Sequence, residues 1–234
     1  MKQKRVLVTW DIDGTLIVGA DEAVFIHQNA FKQAIEEMFG VPADIPEKFL
    51  QISINGFMDQ QILKLMIKKC GHEPTQELMN KCIKIMEETF EQKCNVKPIL
   101  PPGVLDTLKT LSGMENVTMG IASGNWPRIA WRKLQLAGID NYFRKDNIAE
   151  LGYFDDRKDA LIKAREDGEK LNNGQKFDVC IHIGDTNRDV KAAHDANFIA
   201  VAVRTGRNEY EYPKPVIVLT NLEEGHDEFM KLLE

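Results

Sequence analysis

An α/β fold with a helical segment inserted after its first strand is predicted by three features of this sequence. From residue 104 onward, short apolar runs alternate with stretches of helical periodicity. The runs are continuously apolar, as strands of a parallel sheet covered on both faces are. An earlier run of the same kind, residues 5–10, is separated from the others by residues 21 to 95, where apolar positions recur every three or four.

The elements follow in order. Residues 5–10 read as a buried strand that stops at Asp11, Asp13 and Gly14. Val24, His27, Phe31, Ile35 and Met38 form one helical stripe, with Gly40 as its stop. Asp59 is expected to cap a helix carrying Ile62, Leu63, Met66 and Cys70. Thr75 is expected to cap another carrying Leu78, Met79, Cys82, Met86 and Phe90. Pro98, Pro101, Pro102 and Gly103 then break the chain. Strands are expected at 117–122, 177–183, 198–203 and 216–219, and helices at 104–112, 127–137, 157–167, 187–196 and 226–233. Residues 1–19 and 98–234 would form the sheet domain and 20–97 the helical one, linked by 16–20 and 98–103.

Composition narrows the class. The chain has 234 residues, of which 43% are hydrophobic and 28% charged, so it is neither disordered nor fibrous. Thirty Lys and Arg against 36 Asp and Glu leave no overall basic footprint for nucleic acid. No apolar run is long enough to span a membrane, and residues 6–10 are too short for a signal segment. Cys70, Cys82, Cys94 and Cys180 form no C-x-x-C, so free thiols in a cytoplasmic protein are expected.

Polar clusters follow the apolar runs, and ligands of open α/β sheets bind where strands end. Asp11 and Asp13, one residue apart before Gly14, suit a hard divalent cation or a nucleophile paired with an acid/base. Taken by itself, that pair is better accounted for by an Asx-turn after the strand. Ser123-Gly124-Asn125 before Pro127 reads as a helix start that binds an anion or as a simple cap. Lys158, in Asp156-Arg157-Lys158-Asp159, would neutralise a phosphoryl group or belong to a solvated charge run. Asp185 and Asp189 would complete a cation site or favour a helix dipole.

In combination these clusters are more specific. DxDGT at 11–15, Ser123, Lys158 and GDxxxD at 184–189 resemble the four motifs of the haloacid dehalogenase superfamily of aspartate-nucleophile phosphotransferases. Gly124-Asn125-Trp126, residues 184–193, and the stretch Gly56 to Leu63 are similar to its phosphoglycolate-phosphatase-like branch, with Met58 where relatives carry Thr. The resemblance implies a Rossmann-like core with an inserted C1-type helical cap. It implies Asp11 as nucleophile and Asp13 as acid/base. Mg²⁺ would be held by Asp11, the Asp13 carbonyl and Asp185, with Asp189 orienting the metal shell. Ser123 and Lys158 would hold phosphoryl oxygens, helped by Gly14, Thr15, Gly124 and Asn125. On this reading Asp11 is ionised near its ordinary pKa of about 3.9, and burial beside other carboxylates raises that of Asp13.

The implied activity is hydrolysis of a small soluble phosphomonoester, phosphoglycolate-like by family. The alternatives are a sugar-phosphate mutase, although His27 in the first inserted helix lies further from Asp13 than in such mutases and reads as a helix-face or interface histidine, and a non-catalytic phospho-aspartate module, which an intact Asp13 disfavours. His182 and His194 read as structural. Trp126 lines the site mouth or covers a helix start. Arg204, Arg207 and Lys214, and the tract 208–213, read as surface loop.

Overall fold

A computed structural model describes residues 3–19, 21–144, 152–206 and 211–234. Five parallel strands form one sheet in the order β2-β1-β3-β4-β5: β1 (Val6–Trp10), β2 (Val117–Ile121), β3 (Val179–Gly184), β4 (Ile199–Val203) and β5 (Ile217–Leu219). β1 is central and wholly buried, as its continuous apolar run demands. Side chains alternate across it. Val6, Val8 and Trp10 join a cluster with Leu108, Leu134 and Phe229, while Leu7 joins Leu161, Val190 and Ala193 on the opposite face.

Helices α5 (Val104–Ser112), α6 (Pro127–Ala137) and α9 (His226–Met230) supply the first face. Helices α7 (Arg157–Leu171) and α8 (Asn187–Asp195) supply the second. The register sets the site. Trp10 lies opposite Ile121 on one side and Ile183 on the other, so three strands end level. Backbone bonds from Asp11 N to Ile183 O and from Ala122 N to Trp10 O, both 2.9 Å, carry the ladder one residue further. Asp11, Ser123 and Asp185 therefore emerge at one edge.

Between β1 and β2 the chain builds α1 (Asp21–Phe39), α2 (Pro46–Leu50), α3 (Asp59–Lys69) and α4 (Gln76–Lys93). Their apolar stripes meet in a separate cluster around Phe31, Ile35, Leu63, Met66, Cys82, Met86 and Phe90, which Trp126 and Ile129 of the sheet layer also join. The two connecting segments run side by side. Val18 and Ile99 exchange backbone bonds of 2.8 and 2.9 Å. Among the described residues no helix is long and apolar enough to cross a membrane.

Three local readings are corrected. Asp59 is the first residue of α3, after Met58 at the cap position, so its carboxylate is free to reach other elements. α2 has no counterpart in the sequence reading, because a five-residue helix opened by Pro46 is too short to show a period. α7 runs through Gly168 to Leu171, where a helix end was expected at 167. A Cβ at Gly168 would sit 3.0 Å from the Phe177 ring, so this glycine serves close packing.

Candidate active site

A cavity of about 480 Å³ opens at the level strand ends, beneath α1 and the segment that enters α3. Asp11, Asp13, Gly14, Ser123, Gly124, Asn125, Arg157 and Asp185 line its sheet side. Two groups of charge occupy this floor.

The first surrounds Asp11. Carboxylate oxygens of Asp11, Asp185 and Asp189 lie within 4.8 Å of one another, all buried. Arg157 Nη1 donates to Asp11 Oδ1 at 2.9 Å and to Asp189 Oδ1 at 2.8 Å. Asp189 also caps α8. Its Oδ2 accepts from Thr186 N at 3.0 Å and from Thr186 Oγ1 at 2.5 Å, and His182 Nε2 lies 3.4 Å from Oδ1. Burial pushes Asp189 upward, but Arg157, His182 and Thr186 hold it well below the usual carboxylate range. Asp11 goes the other way. Burial, with Asp189 and Asp13 nearby, raises its pKa against the pull of Arg157. Asp185 is pushed up to about 8 by burial and by the same neighbouring carboxylates.

The chain folds tightly around Asp185. Gly14 has φ +88°, and a Cβ there would lie 2.4 Å from Asp185 Oδ2. A Cβ at Gly206 would lie 1.8 Å from the same atom. Among the described residues, Asp185 Oδ1 is buried without a hydrogen-bond partner. Three carboxylates share one guanidinium. An oxygen-only donor set and an orphaned carboxylate oxygen fit a hard divalent cation.

The second group surrounds Asp13, whose side chain turns away from the first. Lys133 of α6, only 2% exposed, places Nζ 2.8 and 2.6 Å from the two Asp13 oxygens and 2.7 Å from Asn125 Oδ1. Asn125 Nδ2 donates to Asp13 Oδ2 at 2.8 Å and to Ser123 Oγ at 2.9 Å. The expected rise in the Asp13 pKa is therefore reversed. Burial still works upward, but the Lys133 ammonium and the bonds from Lys133 and Asn125 bring the group below its ordinary value.

From Lys133 the contacts continue into the helical layer. His27 Nδ1 lies 3.4 Å from Lys133 Nζ and His27 Nε2 3.0 Å from Asp59 Oδ2. Asp59 Oδ2 accepts from Trp126 N at 3.0 Å, and Asp59 N donates to Gly124 O at 2.9 Å. Further out, Lys64 reaches both Asp155 oxygens at 2.7 Å, and Arg188 stacks on Phe57 at 4.0 Å.

The fold thus brings Asp11, Asp13, Gly14, Ser123, Gly124, Asn125 and Asp185 to one cavity, with Asp189 buried directly behind. Two expected residues are placed elsewhere. Thr15 is buried with its hydroxyl unpartnered and does not line the cavity. Lys158 does not line it either, and its charge acts on Asp195 of α8 instead. Arg157 occupies the place expected for it. Neighbours on a helix point about 100° apart, and in α7 the buried stripe is Arg157, Ala160, Leu161 and Ala164. That stripe is legible in the sequence and includes 157, not 158.

Lys133 was also missed. Its signal is a lone lysine in the apolar stripe Ile129, Ala130, Lys133, Leu134, Ala137. Tyr212 corrects the surface reading of its tract: it is buried, and its hydroxyl donates to Asp185 O at 3.0 Å. Arg207 and residues 208–210 lie outside the described residues, whereas Arg204 and Lys214 are exposed. Trp126 is fully buried and packs edge-on to Tyr153 at 5.1 Å, so it covers the start of α6.

Comparison with known proteins places the chain in a family. A family model for haloacid dehalogenase-like hydrolases matches residues 6–197. A phosphoglycolate phosphatase of Nitrosococcus oceani is 24% identical over 216 residues, 89% of this chain and 87% of that protein. The fold is shared with a predicted phosphatase of Clostridium acetobutylicum (TM-score 0.66, 18% identity, 99% of this chain and 100% of that one). It is also shared with a β-phosphoglucomutase of Clostridium difficile (TM-score 0.64, 15% identity, 99% and 97%).

Proposed function

Because the chain belongs to the haloacid dehalogenase-like hydrolase family, we propose that it is a Mg²⁺-dependent phosphatase of small phosphomonoesters that carries the phosphoryl group on Asp11. The arrangement that supports this is the Asp11 carboxylate at the cavity floor, flanked by Arg157 and Asp185. Asp11, Asp185 and the Asp13 carbonyl, with Asp189 behind, would hold Mg²⁺, which would supply positive charge against the phosphoryl oxygens. Helices α1 to α4 act as the cap that keeps water out.

The chain's own groups divide the work. Asp11 attacks phosphorus, the bond to the alcohol oxygen breaks, and that oxygen takes a proton from Asp13. Water then attacks the same phosphorus and gives its proton to Asp13, and the phosphorus–Asp11 bond breaks to release phosphate. Ser123 Oγ already accepts from Asn125, so its own proton is left to donate to a phosphoryl oxygen. Arg157 aims Asp11 and opposes the repulsion between an anionic nucleophile and a phosphate. Lys133 favours the ionised Asp13 that the second step needs and opposes the protonated form that the first step needs.

Phosphate release from a panel of esters in Mg²⁺ tests the reading. Turnover is expected to vanish in Asp11→Asn and in chelator. Turnover retained by Asp11→Asn would remove the aspartyl-phosphate mechanism, and conversion of a sugar phosphate without phosphate release would make the protein a mutase.

A further inference from the structure

The half of the cavity that faces away from Asp11 must receive the alcohol portion of the ester. The segment from α1 to the start of α3 lines it with Val24, Phe31, Ile54, Phe57 and Ile62 as an apolar wall. Its charged side chains are the carboxylates Asp21, Glu47 and Asp59, beside the amides Gln28 and Asn55. Among the described residues lining the cavity, this half contributes no lysine and no arginine.

The basic side chains among the described lining residues are already engaged. Arg157 is held between Asp11 and Asp189. The three protons of Lys133 point at both oxygens of Asp13 and at Asn125 Oδ1. Both ring nitrogens of His27 face partners, Asp59 and Lys133. Glu47 keeps its carboxylate in place by accepting from Ile54 N at 3.2 Å. A second anion on the substrate would meet Glu47, Asp59 and an apolar wall, with no lysine or arginine of this half among the described lining residues, an unfavourable like-charge arrangement. Uncharged hydroxyls would instead find acceptors.

Resting on the phosphatase reading, we propose that this half of the cavity selects phosphomonoesters whose alcohol carries hydroxyl groups and no second anion. Carboxylated esters such as phosphoglycolate are then poor substrates. The cavity volume agrees, since about 480 Å³ lies within the range of sites for whole small molecules and exceeds what a two-carbon ester fills.

The test compares matched esters on the full chain in Mg²⁺: 2-hydroxyethyl phosphate against phosphoglycolate, and glycerol 3-phosphate against 3-phosphoglycerate. The neutral member of each pair is expected to have the higher kcat/KM by roughly tenfold or more. Glu47→Lys is expected to shift the ratio toward the carboxylated member by a similar factor. Glu47→Gln, which removes charge and keeps an acceptor for Ile54 N, should shift it less in the same direction. Equal or better use of the carboxylated members by the natural chain overturns the proposal, as does a ratio unmoved in both variants. p-Nitrophenyl phosphate separates the two levels. If it is hydrolysed, only the discrimination is at stake; if neither it nor any ester is turned over, the phosphatase reading falls and takes this proposal with it.

Discussion

Replacing Arg157 with methionine isolates the cation that the structure puts beside Asp11, the proposed nucleophile. Methionine keeps much of the apolar stem and removes the guanidinium, which is 8% exposed and spans Asp11 at 2.9 Å and Asp189 at 2.8 Å. What remains is three buried carboxylates with no cation among them. Removing one partner of a buried pair costs about 3–5 kcal/mol, because the other charge stays behind unpaired. For a domain of this size each kcal/mol moves Tm by about 2–4 °C, so the melting point should fall by roughly 6–20 °C. Added Mg²⁺ should restore part of it: a ligand at a hundred times its Kd contributes about 2.7 kcal/mol. Differential scanning fluorimetry with and without Mg²⁺ measures both effects, and Lys158→Met is the control. That residue lies outside the cavity, so its variant should melt close to the natural chain and hydrolyse ester at a similar rate. A large loss in Lys158→Met with Arg157→Met near the natural chain would refute the placement of the catalytic cation.

Lys133→Met should lower kcat by roughly 10- to 100-fold with a small change in KM, since charged hydrogen bonds of about 1.5–3 kcal/mol position Asp13 and not the bulk of the substrate. Its Tm should fall less than that of Arg157→Met, because Asp13 keeps its bond from Asn125 and its side chain is 37% exposed to water. A KM effect as large as the kcat effect would instead make Lys133 a substrate-binding group. The thiols give a pH prediction. Burial pushes Cys82 and Cys180 up to about 11, so each stays protonated in the folded protein until the solution approaches that pH. Only about one molecule in a thousand then carries the reactive thiolate at pH 8. Mass spectrometry after iodoacetamide at pH 8 should find both unmodified in the native state and modified in denaturant, and rapid native modification of Cys82 would contradict its burial.

Much of the architecture was legible because its signals are local. A continuous apolar run ending at Asp11 marks a buried strand wherever it lies in the chain, and the stripe of Phe31 and Ile35 marks a helix face. Even the choice between Arg157 and Lys158 was written in the spacing of Ala160, Leu161 and Ala164. The motif pattern points instead to Lys158, which the structure places outside the cavity lining. Lys133 was harder to see, because a lysine within a helix has an ordinary surface explanation until its partner is known.

By itself, then, the sequence determined the strands and the longer helices, the insertion between β1 and β2, and the set of aspartates at strand ends. These depend on periodicity and on short-range turn chemistry, which each segment carries within itself. The tertiary structure decided which charges neutralise which. Lys133 lies 120 residues from Asp13 and Arg157 lies 146 from Asp11, and only the level ends of β1, β2 and β3 bring these groups within reach of one another. With those pairings came the direction of each pKa, because a carboxylate's ionisation follows from its nearest charge and its loss of water. Neither is a property of its neighbours in sequence.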